Sequence, residues 1–130
     1  MKRTWQYSRI GKIYNFSAAH NLPRVPDGHP CKRLHGHNYK VEVEVRGDTM
    51  EASGFCLGLD FYQIDKLVKP LVDQLDHQLL NDFIENPTAE NIASWFMKQL
   101  AQSYIFSITV WETDKCWATA VNRSEEHTSE

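Results

Sequence analysis

Four of the chain's six histidines, His20, His29, His35 and His37, fall within eighteen consecutive residues. Imidazole is the commonest metal ligand among side chains and the usual proton shuttle near neutral pH. In His35-Gly36-His37 two imidazoles stand two residues apart, and on an extended strand such residues share a face, so both could serve one ion. His20, at the end of an earlier apolar stretch, is the natural third ligand. Three histidines with the fourth position left to water or substrate describe a catalytic zinc site. So short a pattern also admits a plainer reading, two polar residues at a strand entrance. Cys31, four residues before His35, has three possible roles. It could be a fourth ligand closing a structural zinc site, a thiol activated by nearby positive charge as a base, or an idle loop residue. His29, between Gly28 and Pro30, belongs to the loop and not to the ligand set.

Two acidic positions complete the chemistry. Asp76-His77 sets a carboxylate beside an imidazole that it can orient, the usual support of a proton relay; a solvated helix end is the alternative. Glu112 shares parity with Phe106, Ile108 and Val110, so its carboxylate falls on an apolar face at the end of a strand. Burying it costs on the order of several kcal/mol unless it is paired. A ligand that donates hydrogen bonds would pair it, and a twisted strand end reaching water is the other possibility.

These side chains depend on the elements that hold them. Ile10–Ala18, with Ile13, Tyr14 and Phe16, reads as a strand. Residues 21–32 carry Pro23, Pro26, Gly28 and Pro30 and read as a loop, because proline lacks a ladder donor and fixes φ. From Tyr39 onward, Val41, Val43 and Val45 alternate with Lys40, Glu42, Glu44 and Arg46, the period of a half-buried antiparallel strand. After a turn-rich connection over 47–58, Asp60 and Gln63 have the spacing of a capping box. Phe61, Ile64, Leu67, Val68, Leu71 and Leu75 follow at helical spacing, with Pro70 expected to kink or interrupt the helix. A second helix is predicted from Thr88, with Glu90 in its first turn and Ile92, Trp95, Phe96 and Leu100 on its apolar face. Strands around Phe106–Trp111 and Cys116–Asn122 close the chain. The order strand, strand, helix, helix, strand, strand predicts an α+β domain, a four-stranded antiparallel sheet with both helices on one face.

A length of 130 residues with 42% hydrophobic content suits one compact domain, taken as 1–122. The net charge of -3 argues against a nucleic-acid platform, which needs concentrated positive charge. No apolar run approaches the roughly 20 residues that span a bilayer, and none follows Lys2-Arg3 as a signal peptide would require. Cys31, Cys56 and Cys116 are odd in number and lack paired spacing, which fits a cytoplasmic protein without a disulfide framework; Cys56 and Cys116 read as packing residues. Arg123–Glu130 is wholly polar, aperiodic and similar to the translated read of a sequencing adapter, so it is set apart from the fold as a disordered or artefactual tail.

Five stretches then carry a resemblance: Phe16-Ser17-Ala18-Ala19-His20, Cys31-Lys32-Arg33-Leu34-His35-Gly36-His37-Asn38-Tyr39, Leu75-Asp76-His77-Gln78-Leu79-Leu80-Asn81, Asn86-Pro87-Thr88-Ala89-Glu90-Asn91 and Trp111-Glu112-Thr113. In this order, over nearly the whole chain before the tail, they resemble the 6-pyruvoyl-tetrahydropterin synthase family. The C-x-x-x-H-G-H spacing from Cys31 to His37 is similar to its bacterial 6-carboxy-tetrahydropterin branch. The pyruvoyl branch generally has two more residues there, and a folate-linked branch has glutamate in place of this cysteine.

The resemblance implies that His20, His35 and His37 hold Zn2+, which grips and polarises the hydroxylated side chain of 7,8-dihydroneopterin triphosphate. It implies Cys31 as proton acceptor, Asp76 and His77 as a relay, and Glu112 as the anchor of the pterin ring through its N–H donors. The implied products are 6-carboxy-5,6,7,8-tetrahydropterin, acetaldehyde and triphosphate, on the way to queuosine. The tRNA link is metabolic, with no nucleic-acid or membrane partner. The implied architecture is the tunnelling fold, in which subunits join their sheets into a barrel as a trimer or hexamer with sites between subunits; closure also removes exposed sheet edges. A pyruvoyl-forming synthase and a non-catalytic pterin- or nucleotide-binding module are the alternatives. Two features depart from the family. Asn21 stands where a basic residue is frequent, leaving Arg24 or Lys32 to contact a triphosphate, and the Gly54–Phe61 approach to the first helix is longer than usual.

Overall fold

Two long strands dominate the computed structural model, which describes residues 6–123; from 124 on, the tail lies outside the described residues. β1 (Tyr7–His20) and β2 (His35–Asp48) pair antiparallel along their whole length. β3 (Ser107–Thr113) and β4 (Cys116–Val121) extend the sheet in the order β1-β2-β3-β4. α1 (Phe61–Leu75) and α2 (Ala89–Leu100) follow β2 in the chain, giving the α+β order β-β-α-α-β-β. Both long strands exceed the alternation read from sequence: β1 runs to His20 and not Ala18, and β2 opens at His35 and not Tyr39. Each supplies the other's ladder partners, so polar and glycine positions stay extended where their own pattern is weak.

Alternation does decide which face is covered. Tyr39, Val41, Val43 and Val45 of β2 are fully buried, while their even-numbered neighbours are not. Phe16 stacks on Tyr39 with ring centroids 5.0 Å apart and tilts against Phe96 of α2 at 6.3 Å. The Asp60–Gln63 capping box opens α1, and Thr88 caps α2 by accepting the Asn91 N–H. Ile64, Val68, Val72 and Leu75 form the inward stripe of α1. Phe61 and Leu67, read as part of that stripe, are exposed at its flanks. Pro70 does not break α1: it sits on the solvent side, where the Lys66 carbonyl left without a donor can be hydrated.

Cys56 is buried as expected. Cys116 is exposed, contrary to its reading as a packing residue, because it opens β4 opposite Thr113 at the bulged end of the β3–β4 hairpin. At the other end of the sheet a polar cluster ties β1 to α1. Tyr14 donates its hydroxyl to Asp65 Oδ1 at 2.6 Å, and Lys12 Nζ donates to Asp65 Oδ2 at 2.8 Å. Among the described residues no helix is long and apolar enough to cross a membrane.

Candidate metal centre and adjoining cleft

The β1–β2 register builds the histidine cluster. His20 lies directly across from His35, and Ala18 across from His37, so the three imidazoles share the covered face. A Cβ at Gly36, between the two β2 histidines, would stand 3.4 Å from the Ala18 carbonyl oxygen, an ordinary van der Waals contact. One nitrogen from each of His20, His35 and His37 falls within a sphere of mutual distances under 4.8 Å. Cys31 is outside this set; it lies in a short 3₁₀ turn, Pro30–Lys32, whose cap is His29, with His29 Nδ1 accepting the Cys31 N–H at 3.0 Å.

Hydrogen bonds fix which nitrogens face the centre. His20 Nδ1 lies 2.8 Å from the Pro87 carbonyl oxygen, and His35 Nδ1 lies 2.7 Å from that of Arg33. A carbonyl only accepts, so both Nδ1 atoms carry the proton and both Nε2 atoms present a lone pair. Those two Nε2 atoms are 3.0 Å apart, an opposition of lone pairs that a shared cation relieves. His37 Nε2 is buried with no hydrogen-bond partner. Burial holds the His20 and His37 pKa values below the ordinary histidine range, which keeps the rings neutral, the form that binds a metal. These donors fit a tetrahedral zinc with one position left for another ligand. Glu112, at the β3 bulge, brings Oε2 to 3.9 Å from His20 Nε2 and joins the cluster without hydrogen bonding to it.

Asp76 and His77 follow α1 and run beside β1. Asp76 Oδ1 accepts the Ser17 N–H at 3.0 Å, His77 N–H binds the Ser17 carbonyl, and Ala19 N–H binds the Gln78 carbonyl. This short parallel pairing covers the edge of β1 near the cluster. The Ser17 N–H, and then His77 Nδ1 at 3.0 Å, hold the Asp76 carboxyl below the usual carboxylate range. His77 has φ of 62° and a side chain 80% exposed. It lines a cleft of about 550 Å³ together with His37, Asn38 and Leu79; Cys31 is not among the lining residues.

Several contacts here had no warning in the local pattern. The Asn21 backbone N–H donates to Asn81 Oδ1 at 3.0 Å and Asn81 Nδ2 donates to the Asn21 carbonyl at 2.9 Å, so the Asn81 side chain pins the loop to the chain after α1 through the backbone of residue 21. Lys32 Nζ binds the Pro23 and Val25 carbonyls and pairs with Asp27, while Arg24 pairs with Glu85. Both candidate phosphate cations are thus engaged within the chain. Tyr39 Oη reaches His20 Nδ1 at 3.2 Å. Lys32, Tyr39 and Asn81 stand within the motif stretches, but only tertiary packing shows their partners.

The family model described as 6-pyruvoyl tetrahydropterin synthase matches residues 9–123. A protein of Synechocystis sp. named 6-carboxy-5,6,7,8-tetrahydropterin synthase is 38% identical over 112 residues, covering 80% of this chain and 85% of its own. A Pyrococcus furiosus protein named dihydroneopterin monophosphate aldolase is 34% identical over 96 residues, covering 74% of this chain and 77% of its own. The solved structure of Caenorhabditis elegans 6-pyruvoyl tetrahydropterin synthase is similar with a TM-score of 0.79 at 26% identity, covering 89% of this chain and 96% of that one. With a match over almost all the described residues and the same tunnelling fold, the chain belongs to the 6-pyruvoyl tetrahydropterin synthase family of pterin synthases.

Proposed function

We propose that this protein is a zinc-dependent carbon–carbon lyase that converts 7,8-dihydroneopterin triphosphate to 6-carboxy-5,6,7,8-tetrahydropterin, acetaldehyde and triphosphate, in the cytoplasmic route to queuosine. The observation that carries the metal half of this reading is the pair of Nε2 atoms 3.0 Å apart, each ring held by a carbonyl at its other nitrogen. The C-x-x-x-H-G-H spacing and the Synechocystis relative support the carboxy-pterin product. Zinc held by His20, His35 and His37 supplies a Lewis acid for the oxygens of the substrate side chain.

The chain's own residues do the rest. Glu112 accepts the N–H donors of the pterin ring and so orients it beside the histidines. Cys31 takes the proton from the substrate side chain, and its freedom from the ligand set leaves the thiol available for that task. His77 receives and returns protons, with Asp76 at 3.0 Å stabilising its charged form. Assembly into a trimer or hexamer fits a cleft that holds His77 but not Cys31, since neighbouring subunits would complete the site.

A second reading is aldol cleavage of dihydroneopterin monophosphate, the activity in the name of the Pyrococcus relative. One observation favours it: Arg24 and Lys32 are already paired, which leaves less positive charge for a long phosphate tail. The test incubates zinc-loaded protein with the triphosphate and the monophosphate in parallel and identifies products by mass. Acetaldehyde with a 6-carboxy pterin from the triphosphate is the expected result. A pyruvoyl pterin without acetaldehyde, cleavage of the monophosphate alone, or no turnover by a folded, zinc-bound protein would each overturn it. Cys31→Ala should keep zinc and lose turnover; loss of zinc with unfolding would make the metal structural.

A further inference from the structure

The two histidines that face each other are oriented by different means. His35 donates to the Arg33 carbonyl two residues away, a contact its own strand end provides. His20 donates to the Pro87 carbonyl, 67 residues distant, so its orientation depends on how the turn before α2 is held. Asn91 Nδ2 donates to the Asn86 carbonyl oxygen at 2.8 Å, and the Thr88 N–H donates to the same oxygen at 2.8 Å. These two bonds close the turn on both sides of Pro87, whose ring already fixes φ, and together they aim its carbonyl at His20. Tyr39 Oη, at 3.2 Å from the same nitrogen, can share the His20 proton but cannot replace the shorter acceptor.

We infer that Asn91 is a positioning residue for the metal centre, acting through Asn86-Pro87 to keep the His20 proton on Nδ1 and the Nε2 lone pair toward the ion. This rests on the metal reading above and adds a residue that touches neither metal nor substrate. Outer partners that orient a ligating histidine typically change metal affinity by about 10–100-fold when lost. Asn91 is the third residue of α2, where a carboxylate is favoured by the helix dipole. Asn91→Asp therefore keeps size and helix stability while removing the N–H donor.

The experiment uses the full chain and zinc alone. Zinc affinity is measured by chelator competition, the His20 tautomer by long-range ¹H–¹⁵N correlation on metal-free protein, and folding by thermal melting. Wild-type His20 should be in the Nδ1–H form. Asn91→Asp should bind zinc about 10–100-fold more weakly, with His20 no longer confined to that form. Thr88→Ala, which removes the side-chain cap but not the Asn91–Asn86 bond, should lower the melting temperature and leave zinc affinity within about twofold. Unchanged affinity in Asn91→Asp, an equal loss in Thr88→Ala, or an Nε2–H tautomer in the wild type would each overturn the inference. The last needs no variant and stands even if Asn91→Asp does not fold. Wild-type protein that binds no zinc would defeat the metal reading itself, whereas normal binding with an unaffected variant would defeat only the role of Asn91.

Discussion

Lys12 and Tyr14 stand on the same face of β1 as His20, separated from it by Phe16 and Ala18, so that face carries one polar cluster at mid-strand and another at the strand's last residue. At mid-strand each strong donor meets an acceptor: the Lys12 ammonium and the Tyr14 hydroxyl both reach Asp65, and the Lys12 and then Tyr14 hydrogen bonds hold its carboxyl below the usual range. At the strand end three imidazoles converge, two Nε2 atoms face each other at 3.0 Å, and one buried nitrogen has no hydrogen-bond partner. The first cluster is complete without any ligand and ties α1 to the sheet. The second could hold a metal ion, and its geometry is maintained by the aromatic layer of Phe16 and Tyr39 and by the carbonyls behind His20 and His35. The two clusters differ in burial and in place along β1, and they differ as well in hydrogen-bond completeness, which marks the first as structural and the second as a candidate functional site.

Breaking either cluster should give opposite signatures. His37→Ala should weaken zinc binding at least a hundredfold, since a structural-strength zinc site spreads about 10–16 kcal/mol over its ligands; chelator competition reads this, and the metal-free melting temperature should not fall. Phe16→Ala, between the clusters, should lower stability by about 3–5 kcal/mol in chemical denaturation and degrade both clusters together. Tyr14→Phe should lower stability by about 1 kcal/mol and leave zinc affinity unchanged.

The gentlest probe is pH. Burial depresses the folded pKa of His20 and His37, so below their ordinary value of 6.5 the unfolded chain binds more protons and the metal-free fold loses stability as pH falls. Asp65 is also depressed in the fold, so its contribution is full above its ordinary value of 3.8 and is lost only as pH falls through the lower folded value. Melting temperature followed from pH 8 to pH 2 should show both windows. His37→Ala should reduce the upper one and Asp65→Asn the lower one, each alone.

Sequence and structure agree where neighbours in the chain are also neighbours in space. Val41, Val43 and Val45 announce their strand, Asp60 and Gln63 their helix start, and His35-Gly36-His37 a shared face, because periods of two and three to four are local properties. Asp65 gave no such signal: one carboxylate on a helix is unremarkable until β1 sets Lys12 and Tyr14 beside it, more than fifty residues away. The Pro87 carbonyl is likewise invisible, since backbone oxygens have no residue type to mark them. That Pro70 leaves α1 uninterrupted and that Cys116 is exposed have a related reason. A proline's cost and a cysteine's burial depend on which side faces water, and that is decided by packing.

The left-handed backbone at His77 bears on how such a chain could be improved or degraded. Left-handed φ costs a side-chain-bearing residue about 1–2 kcal/mol, and glycine escapes that cost. Selection for robustness alone, in the laboratory or in a population, should therefore drift toward His77→Gly. A library screened only for heat resistance would then enrich molecules that have traded away an imidazole from the cleft, so screens on this scaffold need a functional readout at every round.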